Sequence, residues 1–138
     1  MHPTAATPPS AADHTAAGQG SAADASAPDD PQRYIHPLRI GSLQLSNNLC
    51  LAPMAGFTNV AFRLIAKEVG GCGLVASEMV AAIGPNQHGG EERFRVLTRN
   101  VAAEKPLAMQ VYGRDPALCG ATAAALERAG ADLIDLNC

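Results

Sequence analysis

Leu49-Cys50-Leu51-Ala52-Pro53-Met54-Ala55-Gly56-Phe57-Thr58 reads as a short buried strand that runs into a small-residue turn and then a helix. The same format returns at Leu74-Val75-Ala76-Ser77-Glu78-Met79 and at Leu107-Ala108-Met109-Gln110-Val111-Tyr112-Gly113. A further strand, Asp132-Leu133-Ile134-Asp135-Leu136-Asn137, precedes Cys138. Helical periodicity separates these runs, and repeated βα units demand parallel strands with right-handed crossovers. Polar or small residues stand at the C-terminal end of every strand, where parallel α/β folds keep their ligand sites.

Working outward, Leu38/Ile40 and Leu43/Leu45 alternate about Gly41-Ser42, which predicts a small hairpin with one buried face. Thr58 is expected to cap a helix with Val60, Ala61, Leu64, Ile65 and Val69 inward. Arg63, Lys67 and Glu68 then face solvent, and Gly70-Gly71 ends the helix. The second strand is expected to be short, Gly73 to Ala76, followed by an irregular loop from Ser77 to Gly90. Glu91 to Leu97 predicts a brief helix with Phe94 and Leu97 inward. Asp115-Pro116 supplies the N-cap and first position of the next helix. Its inner face is Leu118, Ala121, Thr122, Ala125, Leu126 and Ala129, and Gly130 stops it. The fold class is therefore α/β: the N-terminal half of a TIM (β/α)8 barrel, preceded by a hairpin that plugs its bottom. A small open sheet is the alternative. A whole barrel usually needs about 250 residues, and this chain has 138.

Residues 1–33 contain no Leu, Ile, Val or Phe and are rich in Ala, Pro, Ser and Asp. Such a segment cannot bury enough apolar surface to offset its ordering entropy, so a disordered tail is expected there, with residues 34–138 as the partial barrel domain. The tail carries the formal net charge of -3, and the remainder is balanced without a basic stripe. Composition thus lends no support to nucleic-acid binding by this segment. Cys50, Cys72, Cys119 and Cys138 show no zinc-ligand spacing, so buried free thiols and no metal are expected. No apolar run approaches the roughly 20 residues of a membrane span, and no signal peptide or Arg-rich presequence is evident. A cytoplasmic protein with no membrane partner is the expectation.

Several residues can carry chemistry. Ala55 and Gly56 keep bulk away from the turn backbone, so a flat ring could approach it, although an ordinary strand-to-helix turn has the same composition. Gln110 interrupts an apolar strand, and a buried amide must find partners, in the protein or in a cofactor edge. Asn137 is similarly placed. Glu78 can be a base, a ligand contact or a structural acceptor, while Asp132 and Asp135 read as structural. No Walker or G-x-G-x-x-G phosphate loop and no G-x-S-x-G elbow occurs.

Ala52-Pro53-Met54-Ala55-Gly56-Phe57-Thr58-Asn59 with Phe62-Arg63 closely resembles the tRNA-dihydrouridine synthases. The resemblance continues through Ser77-Glu78-Met79, Gln110-Val111-Tyr112-Gly113 and Gly130-Ala131-Asp132-Leu133-Ile134-Asp135-Leu136-Asn137. It implies an FMN-binding TIM barrel followed by a smaller helical domain that helps hold tRNA. In that family NADPH reduces the flavin, hydride passes to C6 of a uridine, and a cysteine gives the proton to C5. The base must leave its stack to be reached. Carried over, Pro53, Met54 and Ala55 match the backbone segment along the flavin, Gln110 a glutamine bonded to it, and Asn137 the asparagine beside the uracil. The resemblance places no catalytic residue in this chain. The family's proton donor lies in a Gly-Cys-Pro whose cysteine falls two residues past the position of Cys138. The chain is accordingly expected to be an N-terminal fragment, inactive alone and weak or incapable in FMN binding. A dihydroorotate-dehydrogenase-like flavin reductase, or a non-catalytic remnant or interaction module, are the competing readings.

Overall fold

In a computed structural model, which describes residues 34–82 and 90–137, the elements follow the βα order. A hairpin of β1 (Leu38–Ile40) and β2 (Leu43–Leu45) comes first, antiparallel, with Ile40 opposite Leu43. Helix α1 (Val60–Gly70), strand β3 (Val75–Ala81), helix α2 (Gly90–Leu97), strand β4 (Leu107–Tyr112), helix α3 (Pro116–Arg128) and strand β5 (Leu133–Asn137) follow. β3, β4 and β5 form one parallel sheet in sequence order. Cys50 bridges Leu74 in parallel on the free side of β3, so the chain's first core segment takes the next place in the same order. It makes a single bridge rather than the expected buried strand, and Leu49, Cys50 and Ala52 are exposed at the sheet's edge. The expected tail, residues 1–33, and Cys138 lie outside the described residues.

The sheet has two differently filled faces. On one, Val75, Val80, Leu107, Met109 and Val111 are buried with Leu126 of α3, and Phe94 and Leu97 of α2 pack on them as expected. On the other, Leu74, Ala76 and Ala108 are buried under Leu45 of the hairpin, flanked by Leu38, Leu43 and Leu133. These are residues at the N-terminal ends of the strands. The hairpin therefore closes one end of that face and leaves the end where the strands finish uncovered by it.

Helix α1 is rotated from its expected setting. Asn59, not Thr58, is the N-cap, its side chain accepting from Phe62 N–H at 3.1 Å. The buried stripe runs through Val60, Arg63, Leu64 and Lys67, while Ile65 and Val69 are 58% and 83% exposed. Arg63 is the reason. Its guanidinium, expected in solvent, is 1% exposed and pairs with Glu104, Nε to Oε2 at 2.5 Å and Nη2 to Oε1 at 3.2 Å. Nη1 donates to Thr58 O at 2.6 Å and Nη2 to Arg99 O at 2.7 Å. Glu104 Oε1 also accepts from Val101 N–H at 2.8 Å. A buried charge is tolerable only when so fully satisfied. Lys67 is half-buried too, donating to Gly73 O at 3.3 Å, and burial lowers its pKa against the opposing pull of Cys72, Asp132 and Glu104. Gly71 ends the helix with φ 60°, as the two glycines predict.

Two other expectations change. β3 runs to Ala81, so Ser77-Glu78-Met79 lie inside a strand and not in a loop; of the expected loop, residues 83–89 lie outside the described residues. Pairing with β4 on both sides of Ser77-Glu78 holds this stretch extended, with one extra residue between Ala76 and Met79. Among the described residues the thiols are free but not buried: Cys50 is exposed and Cys72 and Cys119 are half-buried. Helix α3 matches its expected caps, Asp115 accepting from Ala117 and Leu118 N–H at 2.8 and 3.1 Å.

Arg63→Met should lower the stability of the chain by about 3–5 kcal/mol, because it strands the Glu104 carboxylate in the interior. Adding Glu104→Leu should recover part of that loss, read as the urea midpoint of the double variant against each single one. Gly120 has open space where a Cβ would stand. Gly120→Ala should therefore raise stability by about 1 kcal/mol in the same denaturation assay.

Candidate functional site

The turn after the first core segment is closed by its own residues. Thr58, fully buried, donates its hydroxyl to Met54 O at 3.1 Å and accepts from Met54 N–H at 3.0 Å. Thr58 N–H also reaches Met54 O, at 3.0 Å. Gly56 takes φ 79°, a conformation in which a side chain would be strained. The result presents Pro53 half-buried and Met54 and Ala55 exposed, with neither the N–H nor the C=O of Ala55 bonded among the described residues.

β3 connects this turn to the rest. Its extra residue is a β-bulge, a device that re-aims side chains. Glu78 Oε2 accepts from Gly56 N–H at 2.6 Å, which ties the turn to the sheet. The adjacent Ser77 hydroxyl is buried, donates to Glu78 O at 2.8 Å and stands 3.4 Å from Gln110 N–H. Met79, opposite Gln110 in register, places its sulfur 3.3 Å from Asn137 Nδ2.

Gln110 is 7% exposed on the sheet face that carries Ala108. Its Nε2 donates to Asp135 Oδ2 at 2.5 Å, and its Oε1 accepts from Asn137 Nδ2 at 3.3 Å. Asp135 stands opposite Gln110, and Asn137 opposite Tyr112. One Nε2 hydrogen and one Oε1 lone pair of Gln110 remain for a ligand. That fits a ring edge offering both an acceptor and a donor, as a flavin's does.

The structure thus joins Gln110 and Asn137 directly, and reaches the Pro53–Ala55 turn through Ser77-Glu78-Met79. Asp135, read from sequence as structural, is in contact with the candidate amide. Its signal was the period-two spacing that puts 133, 135 and 137 on one face. Asp132 is structural as expected, accepting from Leu107 N–H at 2.7 Å and pairing with Lys105 at 3.1 Å. Neither Glu78 nor Asp135 is in an ion pair among the described residues. Among those residues no group of His, Cys, Asp and Glu could hold a metal ion, and no helix is long and apolar enough to cross a membrane.

Comparison with known proteins places this arrangement. The sequence model of the family described as Dihydrouridine synthase (Dus) matches residues 50–138. tRNA-dihydrouridine synthase B of Pseudomonas aeruginosa is 36% identical over 100 residues, covering 72% of this chain and 29% of the relative. The Pseudomonas putida protein of the same name is 37% identical over the same shares. A probable tRNA-dihydrouridine synthase of Rickettsia conorii is 36% identical over 109 residues, 72% of this chain and 30% of that protein. The chain therefore spans less than a third of the length of the curated relatives it matches. The matched residues begin at Cys50, where the chain joins the sheet, and take in the Pro53–Gly56 turn, Ser77-Glu78-Met79, Gln110, Asp135 and Asn137, and on this evidence the chain belongs to the dihydrouridine synthase family.

Proposed function

We propose that this chain supplies the first half of an FMN-binding (β/α)8 barrel in a tRNA-dihydrouridine synthase, an enzyme that reduces uridine in tRNA to 5,6-dihydrouridine with NADPH as reductant. The observation that carries this reading is the hydrogen-bonded row Asp135–Gln110–Asn137 at the uncovered end of the sheet, beside the turn held by Glu78. Sequential parallel order without a reversal supports a barrel over a doubly wound sheet. The hairpin over the strand N-termini supports a closed bottom and a working top. Membership of this family favours an RNA substrate over the small molecules of other flavin reductases.

When bound, FMN would supply the hydride chemistry. Gln110 would hold its ring edge with the remaining amide hydrogen and lone pair, and the exposed turn of Met54 and Ala55, with the Ala55 N–H and C=O that are unbonded among the described residues, would lie along it. Asn137 would orient the uracil, and the row's partial burial would keep water from competing for the Gln110 amide. The proton donor and the groups that hold the FMN phosphate would belong to portions of the enzyme outside the segment of the relatives that this chain matches. The chain alone is accordingly inactive and binds FMN weakly.

The test is a chimera in which this chain replaces its matched 100-residue segment in the Pseudomonas aeruginosa relative. The chimera should restore dihydrouridine, measured by mass spectrometry, to tRNA of a strain lacking synthases. Gln110→Ala in it should weaken FMN binding at least tenfold. A soluble, flavin-loaded chimera that makes no dihydrouridine would overturn the reading. For the chain alone, FMN fluorescence titration should show no saturation in the low micromolar range.

A further inference from the structure

Asp135, Gln110 and Asn137 form a chain of hydrogen bonds whose direction is set at one end. A carboxylate accepts and does not donate. Asp135 therefore requires Gln110 to present its amide nitrogen, and Nε2 donates over 2.5 Å. That turns Gln110 Oε1 the other way, where only a donor can meet it, and Asn137 offers Nδ2 at 3.3 Å. The same Nδ2 lies 3.3 Å from the Met79 sulfur, a weak acceptor. Both amide hydrogens of Asn137 are thus directed back at the sheet. Its Oδ1 has no hydrogen-bond partner among the described residues, and Asn137 is exposed at the last position of β5.

We propose that Asp135 is a positioning residue: acting through Gln110, it holds Asn137 with its carbonyl oxygen outward, where that oxygen selects a ring bearing an imide N–H. The inference rests on the synthase reading given above. Uracil carries such a group at N3, whereas cytosine has an unprotonated nitrogen there and would bring acceptor against acceptor. A free amide could turn over and greet either base. One locked by a buried amide and a carboxylate cannot, and an acceptor left unpaired in a closed site is costly enough to discriminate. The flavin ring also bears an imide N–H, so the same oxygen could read the cofactor, and the test separates the two.

Asp135→Asn keeps the size of the side chain but offers a donor as well as an acceptor, so the row loses its direction. In the chain itself, NMR should place one Gln110 side-chain N–H proton well downfield of ordinary amides, and Asp135→Asn should return it to the usual range. A wild-type Gln110 amide without that downfield proton would overturn the relay, whatever the enzyme's activity. In the chimera at saturating FMN, Asp135→Asn should lower kcat/KM at least tenfold. It should also narrow the preference for transcripts with uridine over those with cytidine at the reacting position. If FMN affinity falls tenfold instead and kcat/KM recovers at saturating FMN, the relay stands and the imide it reads is the flavin's. Unchanged base preference together with unchanged FMN affinity in a folded, active variant would sink the proposal. An inactive wild-type chimera would count against the synthase reading, and the NMR result would still decide the relay.

Discussion

Arg63 and Glu104 hold the structure at the point where it would otherwise come apart. Between them they satisfy the carbonyls of Thr58 and Arg99 and the N–H of Val101, so one buried pair fastens the turn before α1 to the connection after α2. Their mutual attraction need not exceed the cost of dehydrating both ions for the pair to matter, because losing either partner leaves the other charged in the interior. What the pair supplies is orientation. It sets the rotation of α1, and the Thr58 carbonyl it grips belongs to the residue whose hydroxyl closes the turn at Met54. The presentation of Met54 and Ala55 is therefore controlled from beneath by an ion pair that never reaches the site.

From above, control passes through β3. Ser77, Glu78 and Met79 each address a different neighbour: Gln110, the Gly56 turn and Asn137. Three consecutive residues of a flat strand could not do so, since alternate side chains leave on opposite faces. The bulge makes it possible. The geometry of the sheet's rim thus depends on backbone irregularity at one position and on an ordinary ladder elsewhere.

Much of this was legible in the sequence. The order of βα units, the hairpin turn at Gly41-Ser42, the caps of α3 and the Gly71 stop follow from periodicity and from the special roles of Gly, Pro and Asp. Gln110 stood out as a polar residue in an apolar strand. Arg63 did not, because helical periodicity assigns an arginine to the wet side unless its partner is known. That partner, in Val101-Ala102-Ala103-Glu104-Lys105, lies 41 residues away in a stretch with no pattern of its own. The bulge was equally hidden: one extra residue leaves no mark in composition, and it made a strand end look like a loop. Asp135 was visible as a residue but not as a participant, since its role exists only once β4 lies beside β5.

The offset in β3 also divides the sheet into two layers with different freedoms. Below it, Leu74, Ala76, Ala108 and Leu133 meet the hairpin with their side chains in one phase. Above it, β3 resumes in the other phase and meets its neighbours with polar groups and a methionine. The two layers share one sheet but rest on different forces, apolar packing below and side-chain hydrogen bonds above. The single irregular residue is the seam between a base that packs and a rim that presents hydrogen-bonding groups.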